Sequence, residues 1–258
     1  MRFEEAVAVS SVMLTEGSLV ERLNRDPERL LDPDVAHAGF VYDEAGRSAL
    51  DALYHDYFSI SAKYELPLLT CTPTWRANPE RVKRSSRASC IDVNRDGFAF
   101  VDGLRERFGS GGKRIFIGGL MGCRGDAYDP EDALSEPEAT SFHEEQARAL
   151  AGAGVDFLMA ATLPALSEAT GMARAMSRNG VPYIVSLVAD GKGAMLDGTP
   201  LEDAIDAIDG HVDSKPLLYM INCVHPATFL GVLEKKPGLA EGKRLLGFQG
   251  NTSRKSHD

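Results

Sequence analysis

The sequence predicts a parallel α/β chain of the (β/α)8 barrel class, with the eighth βα unit missing or incomplete. Three observations lead there. The 258 residues are about the size of one barrel. Short, nearly continuous apolar runs alternate with longer segments of helical period, the rhythm of βα units whose strands are buried on both faces. The first predicted turn, Thr15-Glu16-Gly17-Ser18-Leu19, lacks the GxGxxG that normally follows the first strand of a doubly wound dinucleotide-binding sheet.

In chain order, the apolar runs predict strands at Val7–Leu14, Leu66–Cys71, Arg114–Gly119, Val155–Ala160, Pro182–Val188, Pro216–Ile221 and Arg244–Phe248. Between the first two lies a helix over 43–64, with Ala49, Leu50, Leu53, Tyr54, Tyr57 and Tyr64 on one buried stripe. Residues 77–113 form a long insert carrying Arg81, Lys83, Arg84 and Arg87, read as a solvated basic face. Glu138–Ala151 is helical and stops at Gly152 and Gly154; Ala165–Arg178 is helical and stops at Asn179-Gly180, a left-handed cap. Thr199 is predicted to cap a helix over 200–209, with Pro200 in its first position. A last helix covers 225–236. The whole of 1–258 reads as one barrel domain.

Composition narrows the function classes. The chain is 43% hydrophobic and 26% charged, ordinary for a globular protein, and its net charge of −10 argues against nucleic acid. No run approaches the ~18 apolar residues of a membrane span, and the N-terminus lacks a signal-peptide layout. Cys71, Cys90, Cys123 and Cys223 are far apart with no CxxC, which reads as reduced thiols in a cytoplasmic protein.

Barrel enzymes place their chemistry just after the strands. Those tips carry Glu16 and Gly17; Cys71, Thr72, Thr74 and Trp75; Cys123; Ala161 and Thr162; Asp190 and Lys192; Asn222, Cys223 and His225; and Asn251. No strand lysine is present for a Schiff base, and no GxSxG for a serine nucleophile. Cys223 stands out as a thiol at a strand tip, with His225 two residues on. A thiol of this kind is either inert packing or a metal ligand awaiting partners.

Taken together, the tips resemble the homocysteine S-methyltransferase family, zinc-dependent barrels that methylate the thiol of homocysteine. The resemblance runs from about Val12 to Asn251. It is carried by Leu14-Thr15-Glu16-Gly17-Ser18, by Thr70-Cys71-Thr72-Pro73-Thr74-Trp75-Arg76-Ala77-Asn78, and by the stretch from His143 to Asp156. Thr162-Leu163-Pro164 with Glu168-Ala169, Asp197-Gly198-Thr199-Pro200-Leu201 and Ile221-Asn222-Cys223 complete it. Each motif is short; six in order are specific for the family and less so for the activity.

The resemblance implies a methyl transfer from a small activated donor to a thiol. It implies Glu16, Gly17, Thr72 and Asn222 as substrate-binding residues and Cys223 as a zinc ligand. Two departures stand against it. Ala161 replaces the family's strand-four Glu, and the Gly-Gly-Cys-Cys of strand eight is absent from the 258 residues. The expectation is therefore a zinc site with weak or no occupancy. The alternative is a divergent, non-catalytic small-molecule-binding barrel that has lost zinc. Expected partners are a thiol acceptor and a methyl donor, with no nucleic acid and no membrane.

Overall fold

A computed structural model describes residues 1–26, 30–86 and 92–253, with Glu241 described in its backbone only. Arg87 and Cys90, named above, lie outside the described residues. Seven strands follow one another in the sheet in the order of the chain. They are β1 (Leu14–Thr15), β2 (Leu68–Cys71), β3 (Ile115–Gly122), β4 (Phe157–Leu163), β5 (Tyr183–Val188), β6 (Leu218–Asn222) and β7 (Leu245–Gln249). Pairings β1–β2, β2–β3, β5–β6 and β6–β7 are parallel. The strand order and the intervening helices are those of a (β/α)8 barrel, with seven strands among the described residues.

Contacts divide the chain into two compact units: Met1–Met121 with Arg148–Leu158, and Gly122–Ala147 with Met159–Asp258.

In the first unit, the predicted strand over Val7–Leu14 is corrected. Phe3–Val9 is helix α1, and β1 keeps only Leu14 and Thr15. The Val-rich run misled because only Phe3 and Ala6, one helical turn apart, are buried; Val9 is exposed. Phe3 stacks on Phe157 with ring centroids 4.3 Å apart and tilts against Phe116 at 5.5 Å, so α1 is anchored by aromatic burial. α2 (Leu19–Asn24) starts at Ser18, whose hydroxyl accepts from Glu21 N. α3 (Glu44–Tyr64) is the long predicted helix. Its buried stripe is Ala49, Leu50, Tyr54, Phe58 and Ser61; Tyr64 is exposed, because the helix turns out at Glu65 in the left-handed conformation. The 77–113 insert contains α4 (Pro79–Arg84), capped by Asn78, and α5 (Val93–Arg107), capped by Asp92. Arg84 pairs with Asp34 and Glu80, and Arg81 donates to the Asp34 carbonyl. Arg105 at the end of α5 meets Asp156 at 2.6 Å, and Asp156 also accepts from Ile117 N at 2.7 Å, tying helix to sheet.

In the second unit lie α7 (Leu166–Ser177), α8 (Leu201–His211), α9 (Pro226–Lys235) and α10 (Gly238–Gly242); α6 (Glu136–Ala153) runs through both stretches of chain. β5 and β6 are buried along their length. Gly180 takes positive φ, as a helix-terminating glycine does, and so does Gly154 of the first unit. Thr199 does not cap α8. Pro200 occupies the cap position, and the turn before it is held by Asp197, which accepts from Thr199 N and from Leu166 N. The opposite ends of β6 and β7 are clamped by Asp209. It accepts from Tyr219 Oη at 2.8 Å and Arg244 Nη2 at 2.8 Å, with Lys215 at 3.4 Å. No helix among the described residues is long and apolar enough to cross a membrane.

Candidate active site

In the first unit the chemistry gathers around Glu16. β1 is short, but Glu16 N still donates to Leu69 O, which carries Glu16 along the edge of β2. Its carboxyl accepts from the Thr70 hydroxyl and from Cys71 N and is 7% exposed. Burial pushes it up to about 8, against the lowering effect of those two hydrogen bonds. Glu16 therefore carries its proton at neutral pH. Tyr54 Oη donates to Cys71 O at 2.6 Å, and burial raises both the Tyr54 phenol and the Cys71 thiol well above their ordinary values. Cys71 is thus an inert thiol at neutral pH. A Cβ on Gly17 would stand 3.0 Å from Tyr57 Oη, so the residue after Glu16 is small because a phenol covers it.

Thr72 is almost fully buried. Its hydroxyl accepts from Leu120 N at 3.0 Å and lies 2.6 Å from Thr74 Oγ1, while Thr74 Oγ1 donates to Leu120 O at 2.8 Å. With the Thr74 hydrogen directed to Leu120, Thr72 is the donor between the two. Thr72 and Thr74 together form a strut from the β2 tip to β3. Trp75 and Arg76 follow, the guanidinium 4.2 Å from the indole centroid.

In the second unit, Asn222 and Cys223 end β6. The Asn222 side chain accepts from Ser186 Oγ at 2.7 Å, and its amide nitrogen donates to Thr162 Oγ1 at 2.9 Å and Cys223 Sγ at 3.1 Å. With its oxygen on Ser186 and its nitrogen on Cys223, the Asn222 amide makes the Cys223 sulfur a hydrogen-bond acceptor. Cys223 and Thr162 both have φ of 63°, an uncommon conformation for any residue but glycine and a strained one for β-branched threonine. Cys223 N donates to Gln249 O and its carbonyl accepts from Asn251 Nδ2, which fixes the turn. Cys223 is partly exposed, in contrast to Cys71 and Cys123.

The other tip residues are engaged elsewhere. His225 caps α9, its Nδ1 accepting from Ala227 N. Asp190 accepts from Lys192 N and Ala194 N, and Lys192 is exposed. Ala161 lines β4 with a methyl where the family has a carboxylate.

Thr162, Ser186, His143 and the carboxylate of Glu168 carry no assigned role in the sequence. Glu168 accepts from Arg124 N at 2.7 Å and Leu134 N at 3.4 Å, pinning both ends of the loop after β3, and lies 2.9 Å from His143 Nε2. Burial raises its carboxyl, but the hydrogen bonds outweigh this and hold it below the usual range. His143 Nδ1 is buried without a partner, which favours the tautomer that donates from Nε2. The signal available was Glu168 in register after Thr162-Leu163-Pro164.

A zinc centre built on three thiolates needs a cluster of ligands. Among the described residues no group of three or more His, Cys, Asp or Glu side chains could hold a metal ion. With His225 capping its own helix, Cys223 brings one donor, and the described residues do not fit the metal site that the resemblance implied.

A family model described as homocysteine S-methyltransferase matches residues 13–256. The curated protein homocysteine S-methyltransferase YbgG of Bacillus subtilis (strain 168) is 34% identical over 88 residues, 34% of this chain and 28% of that protein. The matched stretch therefore spans little more than a quarter of that relative's length. Crystal structures of the homocysteine methyltransferase MmuM from Escherichia coli, in oxidized and metallated forms, superpose with TM-scores of 0.75 at 18% identity. They cover 96% and 97% of this chain and 94% and 95% of theirs. At that identity the likeness is one of fold.

Proposed function

The chain belongs to the homocysteine S-methyltransferase family, and on that premise we propose that it transfers a methyl group from a small activated donor to the thiol of homocysteine or a close analogue, in the cytoplasm. The observation that carries the reading is the Asn222 amide, which bonds both the partly exposed Cys223 sulfur and the Thr162 hydroxyl, two residues with strained backbones. Strain of that kind is kept where a ligand is gripped.

In the transfer, a lone pair on the acceptor sulfur forms a bond to the methyl carbon as the bond from that carbon to the donor breaks. The thiol proton leaves to solvent. A free thiol is mostly protonated at neutral pH, so stabilising the thiolate is the main task. Glu16, Gly17 and Thr72 serve the amino-acid end of the acceptor, Glu16 through its carboxyl and Thr72 by positioning the strand tip. Asn222 and Cys223 serve its sulfur. Cys223 is the residue through which zinc would act in the family. The described residues offer no complete metal site.

A second reading is a small-molecule-binding barrel without turnover. It is favoured by Ala161 in place of the carboxylate and by the single thiol at the β6 tip. Incubation with homocysteine and, in turn, sulfonium, betaine-like and folate methyl donors separates the two. Turnover supports methyl transfer, and binding of homocysteine with no product from any donor supports the second reading.

A further inference from the structure

The tips of β4 and β6 hold a hydroxyl hydrogen that no described protein atom takes up. Asn222 Oδ1 accepts from Ser186 Oγ, which directs the amide nitrogen toward Thr162 Oγ1 at 2.9 Å and Cys223 Sγ at 3.1 Å. Thr162 Oγ1 is thus the acceptor in that bond, and a threonine hydroxyl still has one hydrogen to donate. Among the described residues, Thr162 makes no other side-chain hydrogen bond. It is 7% exposed, so solvent is largely shut out, and a buried donor without an acceptor is costly. Its backbone is strained at φ 63°, as is that of Cys223. Thr162 Oγ1 and Cys223 Sγ both lie within hydrogen-bonding range of one nitrogen, so they are no more than about 6 Å apart.

We infer that the Thr162 hydroxyl donates to the sulfur of the bound acceptor thiol and so recognises an electron-rich sulfur beside Cys223. This rests on the thiol-methylation reading above. A hydrogen bond to the ionised sulfur favours that form over the neutral thiol. Thr162 touches substrate in this account, whereas Asn222 and Ser186, whose polar atoms are engaged with one another, Thr162 and Cys223, position it.

The test is calorimetric binding of homocysteine, and of 2-aminobutyrate as the analogue that lacks the thiol, to the intact chain and to Thr162→Val, Thr162→Ala and Thr162→Ser. Homocysteine affinity should fall roughly tenfold or more in Thr162→Val and Thr162→Ala, the loss of one hydrogen bond to an ionised group. Thr162→Ser should stay within about threefold, and 2-aminobutyrate affinity should be unmoved in all variants. Either Val or Ala suffices if the other fails to fold. Equal loss for both ligands, or no loss for homocysteine, overturns the role of Thr162 while leaving thiol methylation standing. An unsubstituted chain that binds no homocysteine overturns both.

Discussion

Glu16→Gln should remove a pH dependence of stability that the wild-type chain carries. The carboxyl is buried and held up to about 8 against an ordinary 4.5. Below about pH 4.5 it is protonated in both folded and unfolded chains. Between about 4.5 and 8 the unfolded chain gives up the proton and the folded chain keeps it, so stability falls as pH rises. Above about 8 both states are ionised and the loss is complete. At ~1.36 kcal/mol per pH unit the full loss is about 5 kcal/mol, and the part between pH 6 and 9 is about 3 kcal/mol. Gln keeps the shape and an acceptor for Thr70 and Cys71 N but cannot ionise. Urea unfolding of both chains at pH 6 and pH 9 isolates the effect, because other titrations largely cancel in the difference. Wild type should lose about 3 kcal/mol relative to Glu16→Gln across that interval. A difference that is the same at both pH values would refute the reasoning, since it would mean that Glu16 is already ionised at pH 6.

Further expectations follow from neighbouring geometry. If Glu16 meets the acceptor's ammonium, binding of methionine, which has no thiol to titrate, should release close to one proton at pH 7, measured by calorimetry in buffers of different ionisation enthalpy; Glu16→Gln should release none. Asp209→Ala takes the charged partner from Arg244 and leaves Tyr219 Oη only its longer bond to Ile205 O, and should cost about 1–3 kcal/mol in urea unfolding. The Asp209 carboxyl lies below its ordinary value: burial raises it, but Arg244 and Tyr219 lower it further. This contribution should therefore be lost as pH falls through the acid range. Glu168→Ala leaves Arg124 N, Leu134 N and His143 without their acceptor. It should cost about 2–4 kcal/mol and speed hydrogen exchange across the loop after β3. Elemental analysis of the purified chain should find well below one zinc per chain; a full equivalent removed only by chelator would mean that further ligands join Cys223.

β2 to β6 were legible as apolar runs because burial on both faces leaves little room for polar residues. β7 was legible from its leucines and Phe248, although only Leu245 is buried there. β1 was misplaced because Val7 and Val9 have strand-like chemistry, yet the aromatic anchor at Phe3 selects a helix. Tyr64 looked like core by spacing, but the buried stripe ends at Ser61, and Tyr64 closes the helix just before the left-handed Glu65. Glu16 and Cys223 were legible as strand-tip residues. The protonation of Glu16 was not, since it depends on burial under Thr70 and Cys71. Nor was the bond between Asn222 and Thr162, sixty positions apart and joined only by folding. Ser186 reads in the sequence as one more strand residue, and its bond to Asn222, 36 positions away, arises only on folding.

The central claim is methyl transfer to a thiol. The most direct measurement is mass-spectrometric detection of methionine when the purified chain is incubated with homocysteine and each donor class in turn. The account predicts methionine in molar excess over protein with one donor class, and loss of that product in Cys223→Ser. Absence of methionine with every donor, from a chain that is folded by its unfolding transition, would contradict it.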